Sequence, residues 1–129
     1  MQKLLAWIAP LATVVIALAL AVLAFQTIRS HDTPELTTPY QAIALMNGQV
    51  FFGRAEGLER DYVVLHDVFY IQSRQNPDTK QVSNVLIKRG GEAHAPDRMI
   101  VNRLQLLLIE PVAENSQIAK LIAEQNKAH

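Results

Sequence analysis

Residues 40 to 72, YQAIALMNGQVFFGRAEGLERDYVVLHDVFYIQ, decide the fold. Three short runs rich in β-branched and aromatic side chains are separated by Asn47-Gly48 and by Glu56-Gly57, dipeptides that suit tight turns. The spacing predicts strands over residues 40–46, 49–55 and 61–72. In the third, Val63, Leu65, Phe69 and Ile71 share one parity and Tyr62, Val64, His66, Val68 and Tyr70 the other. Both parities are largely apolar, so this strand is expected to be covered on both faces or to bend strongly. Gly53 marks a bend or a close backbone approach in the second run.

Toward the C terminus, Ser73 to Gln81 is polar and turns at Asn76-Pro77-Asp78, and Val82 to Lys88 returns to strand. Arg89-Gly90-Gly91 breaks that strand, and Glu92 to Arg98 reads as loop. Met99 to Ile109 reads as one bent strand or two short ones ending before Pro111. From Ser116 to Gln125, Ile118, Leu121 and Ile122 fall on one face of a short amphipathic helix. Such a helix frays unless it docks, on its own domain or on a partner.

Toward the N terminus, residues 4 to 26 hold no ionisable side chain. As helix these residues span about 34 Å, enough for a hydrocarbon core of about 30 Å. Trp7 suits the headgroup level and Pro10 lies near one end. A cleaved signal peptide is the competing reading, with Val22-Leu23-Ala24 as the processing site, but its apolar core would be unusually long. The expectation is a retained single-pass anchor. Lys3 and the terminal amine on one side, against Arg29 with Asp32 and Glu35 on the other, favour a cytoplasmic N terminus and an extracytoplasmic domain. Residues 27 to 39, with Pro34 and Pro39, read as a linker.

Beyond the apolar segment the chain carries 11 basic and 12 acidic side chains, a net of −1. That balance speaks against a dedicated nucleic-acid or polybasic membrane-surface binder, which needs concentrated positive charge. With no cysteine, disulfides, thiolate metal sites, iron-sulfur clusters and thiol nucleophiles are excluded.

Short strands with tight turns suggest a small, strongly bent barrel of SH3-like or OB-like type. Within it, residues 42 to 68 resemble the first motif of Sm-like proteins: an alternating strand, Asn47-Gly48, Gly53 five residues later, an acidic turn and a third apolar strand. Ile87-Lys88-Arg89-Gly90 is similar to the isoleucine-arginine-glycine element of that family's second motif. The chain departs from the family where an asparagine contacts an RNA base, since Tyr62-Val63 stands there. It also adds a dozen residues, Gly91 to Asn102, before the last strand. The resemblance implies the fold and does not extend to RNA binding. Two stretches, residues 47–72 and 80–103, further resemble segments of small bacterial single-pass membrane proteins. That likeness implies a bacterial cytoplasmic membrane and carries over no catalytic residue.

The chain is therefore expected to be mainly β. A transmembrane anchor at 1–26 is followed by the linker at 27–39, a small five-stranded Sm-like or SH3-like barrel at 40–112, and a C-terminal helix and tail at 113–129.

Candidate chemistry is sparse. Glu92, His94 and Asp97 could ligate a divalent metal, but a loop of six residues fixes no coordination geometry. His66 and Asp67 are neighbours in a strand and point to opposite faces. Ser30, Ser73, Ser83 and Ser116 lack a nucleophile-elbow setting. Tyr62, Tyr70, Phe51, Phe52 and Phe69 could stack nucleic-acid bases and read more simply as core. No cofactor, metal or catalytic residue is expected. The expected role is a non-catalytic interaction or assembly module of the bacterial envelope. It would meet the lipid bilayer and a protein partner or a second copy through strand edges and through Ile118, Leu121 and Ile122. The alternative is a tethered Sm-like nucleic-acid binder on the cytoplasmic face, using Lys88, Arg89, Gly90, Arg98 and Arg103.

Overall fold

The computed structural model describes residues 1–29 and 33–128, without the side chains of Leu4, Leu5 and Arg29. Part of the expected linker, residues 30–32, lies outside the described residues. The chain divides into two compact units, Met1–Pro34 and Glu35–His129.

The first unit is one helix, α1, Gln2–Arg29, which takes in the residues 27–29 expected as linker. Its stretch Ala6–Ile28 is long and apolar enough to cross a membrane, and none of it is buried by the protein. The Thr13 hydroxyl donates to the carbonyl of Pro10 at 2.8 Å and the Thr27 hydroxyl to that of Leu23 at 2.8 Å. Both hydroxyls thus find acceptors on the helix itself, as an apolar solvent demands.

The second unit is mainly β. Its strands are β1 Gln41–Leu45, β2 Val50–Glu56, β3 Tyr62–Gln75, β4 Val82–Lys88, β5 Arg98–Asn102 and β6 Leu106–Pro111, followed by helix α2, Gln117–Lys127. All pairings are antiparallel, in the order β4-β3-β2-β1-β6, with β5 along the first half of β3. Six strands are present among the described residues where five were expected. The run Met99–Ile109 breaks at a 3-10 turn, Arg103–Gln105, capped by the Asn102 side chain, which accepts from the amide of Leu104 at 3.0 Å. Its halves then pair with different strands, β5 with β3 and β6 with β1. The dozen residues Gly91 to Asn102, read as an addition, therefore contain β5. No pairing among the described residues joins β6 to β4 or β5, so the sheet is open, and barrel closure is not part of the pairing pattern.

The first hairpin closes as Asn47-Gly48 predicts. Gly48 takes φ +84°, its amide donates to Leu45, and the Asn47 side chain accepts from Gln49.

The long strand β3 carries the main departure from the alternating pattern. Phe52 pairs with Phe69 but Arg54 with His66, so β3 holds one extra residue opposite Gly53. That extra residue falls at Asp67, whose φ is +48°. Beyond it the parity reverses. Val63, Leu65, Val68 and Tyr70 share one core with Ile43, Phe51 and Val101, whereas Phe69 joins Phe52, Leu86, Val112 and Ile122 in another. The expected grouping of Phe69 with Val63 and Leu65 fails because a bulge shifts every later side chain to the opposite face. Coverage of both faces holds: α2 lies over the second core.

The docking of α2 is specific. Ser116 caps it by accepting from the amide of Ala119 at 3.1 Å. Gln125 Nε2 donates to the Leu86 carbonyl at 2.6 Å, and Asn126 Nδ2 to the Tyr40 hydroxyl at 3.3 Å. Gln41, a buried polar side chain, is satisfied at both ends. It donates to the Thr38 carbonyl and accepts from the Ala55 amide.

Candidate functional site

The residues singled out in the sequence separate into three places. Ile118, Leu121 and Ile122, expected to dock on their own domain or on a partner, pack on their own sheet with Phe52, Phe69 and Leu86, and Ile122 is only 2% exposed. Full burial of an isoleucine contributes about 1.5–3 kcal/mol, enough to hold a helix of three turns. The apolar stripe of α2 thus docks on its own domain, one of the two dockings that the sequence leaves open.

Lys88, Arg89 and Arg98 come together around a cavity of about 170 Å³ where β4 ends and β5 begins, whereas Arg103 sits at the far end of β5, its amide bonded to the Asp61 carbonyl. The three cations form no open basic patch. Lys88 lies 5.7 Å over the Phe69 ring and donates to Asn126 at 3.3 Å. Arg98 is held by the neighbouring Asp97 carboxylate at 2.8 and 3.2 Å. That contact keeps the Asp97 carboxyl below its usual range and raises the Arg98 guanidinium. Asp67, which lines the same cavity, is bonded by Arg54 at 2.6 and 2.9 Å.

Arg89 is the most constrained of them. Its amide donates to the Val68 carbonyl at 2.7 Å, its guanidinium lies 6.0 Å over the Phe51 ring, and its Nε donates to Glu92 at 2.8 Å. The other Glu92 oxygen accepts from the Gly90 amide at 2.7 Å, with Gly90 at φ +123°. Arg89 first, then the Gly90 amide, hold the Glu92 carboxyl down at about 2. Arg89 Nε and the Gly90 amide thus converge on one carboxylate, that of the chain's own Glu92.

Among the described residues no three His, Cys, Asp or Glu side chains, Glu92, His94 and Asp97 included, converge as a metal site. His66 contacts Glu56 at 3.1 Å on the surface. Phe51, Phe52 and Phe69 are core and Tyr70 packs half-buried against Phe51, while Tyr62 is exposed.

Sequence reasoning missed two features of the sheet. Residues 71 to 85 are exposed throughout, so the ends of β3 and β4 project as a two-stranded arm, joined by Ser73 Oγ donating to Asn84 Oδ1 at 2.8 Å. The outer edge of β6 carries no partner among the described strands, and its Leu107 and Leu108 are exposed. Their signal was present in Leu106-Leu107-Leu108-Ile109, an apolar run with no polar alternation.

No protein-family model matches the chain, and no curated protein is similar to it.

Proposed function

We propose that this chain is a membrane-anchored, non-catalytic interaction or assembly module of the bacterial cell envelope, in which α1 holds the β unit at the bilayer and the sheet edges receive a protein partner or a second copy. The observation that carries the reading is the edge strand β6. It presents an unpaired outer edge among the described strands beside exposed Leu107 and Leu108, and its one charge, Glu110, and its one proline, Pro111, both stand at the strand's end, beyond the leucines. Soluble sheets usually protect such edges with charge, proline or a covering element. The edge of β4, with exposed Val82 and Val85, is the second open side. Strand addition at either edge supplies main-chain hydrogen bonds, with the leucines supplying burial.

The bent β3, the 3-10 turn before the last strand and the strand order support reading the domain as Sm-like or SH3-like. Lys3 with the terminal amine, against Arg29 on the other side of the span, supports an external domain. The tethered nucleic-acid binder ranks second, because Lys88 is engaged by the Phe69 ring and Asn126 and Arg98 by Asp97, and the one cation left does not make the concentrated positive charge that phosphate binding needs.

The test is site-specific photocrosslinking of the full chain in membranes, with the crosslinker at Leu107 or, as control, at Asp78 on the arm's tip. A discrete adduct from position 107 that disappears on Leu108→Lys supports edge docking. Absence of any adduct from 107 and from Val85 sinks it, and a C-terminal reporter active only in the cytoplasm overturns the sidedness.

A further inference from the structure

A cleft of about 480 Å³ opens at one end of the sheet, where β2 begins beside β3. Its walls include Val50, Phe51, Tyr70 and Ile71, and its charged lining is Arg89 with Glu92. Val50 and Ile71 are half-exposed, and the Phe51 and Tyr70 rings meet edge to face at 6.5 Å. The volume falls in the range of ligand sites, about 300–1,000 Å³, which are typically apolar with a few convergent polar groups.

Arg89 is built as such a group. Two contacts fix its guanidinium, the Phe51 ring and the Nε bond to Glu92, and its side chain is only 22% exposed. Nε is the donor that Glu92 takes, and the Nη donors of the fork have no hydrogen-bond partner among the described residues. A planar guanidinium whose orientation is already fixed loses little freedom on accepting a carboxylate. The polar lining residue Gln49 adds a side-chain amide. Its Oε1 is taken by Asn47 Nδ2 at 3.1 Å, so its Nε2 is the group available to a peptide carbonyl. An acyl chain would leave that amide unused.

We infer that this cleft captures the free C-terminal carboxylate of a protein partner, with the carboxylate on Arg89 and the preceding apolar side chains against Val50, Phe51, Tyr70 and Ile71. The inference rests on the interaction-module reading and names the partner's chemistry. Glu92 acts as a positioning residue that aims Arg89 and does not touch the ligand.

The full chain in lipid nanodiscs is titrated with acetyl-Ala-Leu-Val bearing a free carboxylate, with the same peptide as its amide, and with hexanoate. The free acid binds, and amidation weakens it by about tenfold or more, the scale of one charge-assisted hydrogen bond. Arg89→Gln costs a similar factor, and Arg89→Lys recovers only part of it because the fork is lost. Ile71→Asp, at a half-exposed position, removes binding without relying on Arg89 for folding. Equal binding of acid and amide, no binding of either, or indifference to both Arg89→Gln and Ile71→Asp overturns the site. Hexanoate binding as tightly as the peptide overturns the peptide assignment. Loss of the cleft with the Leu107 crosslink intact refutes this inference alone, whereas a missing crosslink with the cleft intact refutes the edge reading alone.

Discussion

A β-carbon placed on Gly53 would stand 3.1 Å from the backbone carbonyl oxygen of His66. The two residues face each other across the bulge, where β3 spends one extra residue and its chain presses toward β2. A side chain at residue 53 would need the facing β3 backbone to give by a few tenths of an ångström, at the point that sends Val68 to one core and Phe69 to the other.

Gly53→Val is therefore expected to destabilise the β unit by about 2–4 kcal/mol, adding overpacking to the displaced pairing. Chemical denaturation of the full chain, followed by near-ultraviolet circular dichroism, reads the shift. A midpoint within experimental scatter of wild type would show that the strands relax around a Cβ at no cost.

How far the sequence told this in advance can be traced residue by residue. The boundaries of β1, β2 and β4 follow to within a residue from β-branched runs cut by Asn47-Gly48 and Asn76-Pro77, which are local signals, whereas β3 runs on to Gln75, three residues into the connection expected from Ser73. The parity reversal at Asp67 was illegible, since a positive φ at an aspartate is imposed by the strand it crosses and not by its neighbours in sequence. Periodicity gave α2 its apolar face. It could not say that Phe52 and Phe69 would cover that face, because sequence spacing reports a stripe and not its partner. For the site, Arg89 and Glu92 stood three residues apart as R-G-G-E, a visible ion-pair spacing that was split between a turn and a loop. The open edges and the exposed arm depend on which strand ends a sheet, a property of topology alone.

Burial of the α2 stripe gives a second prediction. Ile122→Ala should cost about 2–5 kcal/mol, the range for deleting a buried isoleucine side chain. Ser116→Ala, which removes the cap, should cost about 1 kcal/mol. Both are measured by thermal or urea unfolding. If Ile122→Ala leaves stability unchanged while abolishing crosslinking, the helix belongs to a partner and the packing of Ile122 beside Phe69 is not the state in the membrane.

The apolar span Ala6–Ile28 leads to a third. A retained helix of this length keeps the chain in the membrane pellet through alkaline carbonate extraction. Introducing Arg at Ala17, the middle of the span, raises the insertion cost by about 2.5–3.5 kcal/mol on a translocon scale and should release part of the chain. Intact-mass measurement supplies the opposite outcome: a mature species starting after Ala24 would identify the segment as a cleaved signal.

The Glu92 latch carries the last prediction, in pH. Its carboxyl is held at about 2 against an ordinary value of 4.5, first by Arg89 and then by the Gly90 amide. A depressed carboxyl binds its proton less readily in the folded chain than in the unfolded one. The stabilisation it gives is accordingly complete above about 4.5 and lost as pH falls from there through about 2. Acid titration monitored by NMR on the Gly90 amide should show that resonance moving late, well below the range in which ordinary glutamates protonate. In Glu92→Gln the charge is absent at every pH, so the Gly90 shift should be flat over the same window while the two proteins converge in stability at the acid end. Gly90 titrating near 4.5 in the wild type would mean that Arg89 and Gly90 do not hold the carboxylate, and the fixed orientation of Arg89 toward the cleft would go with it.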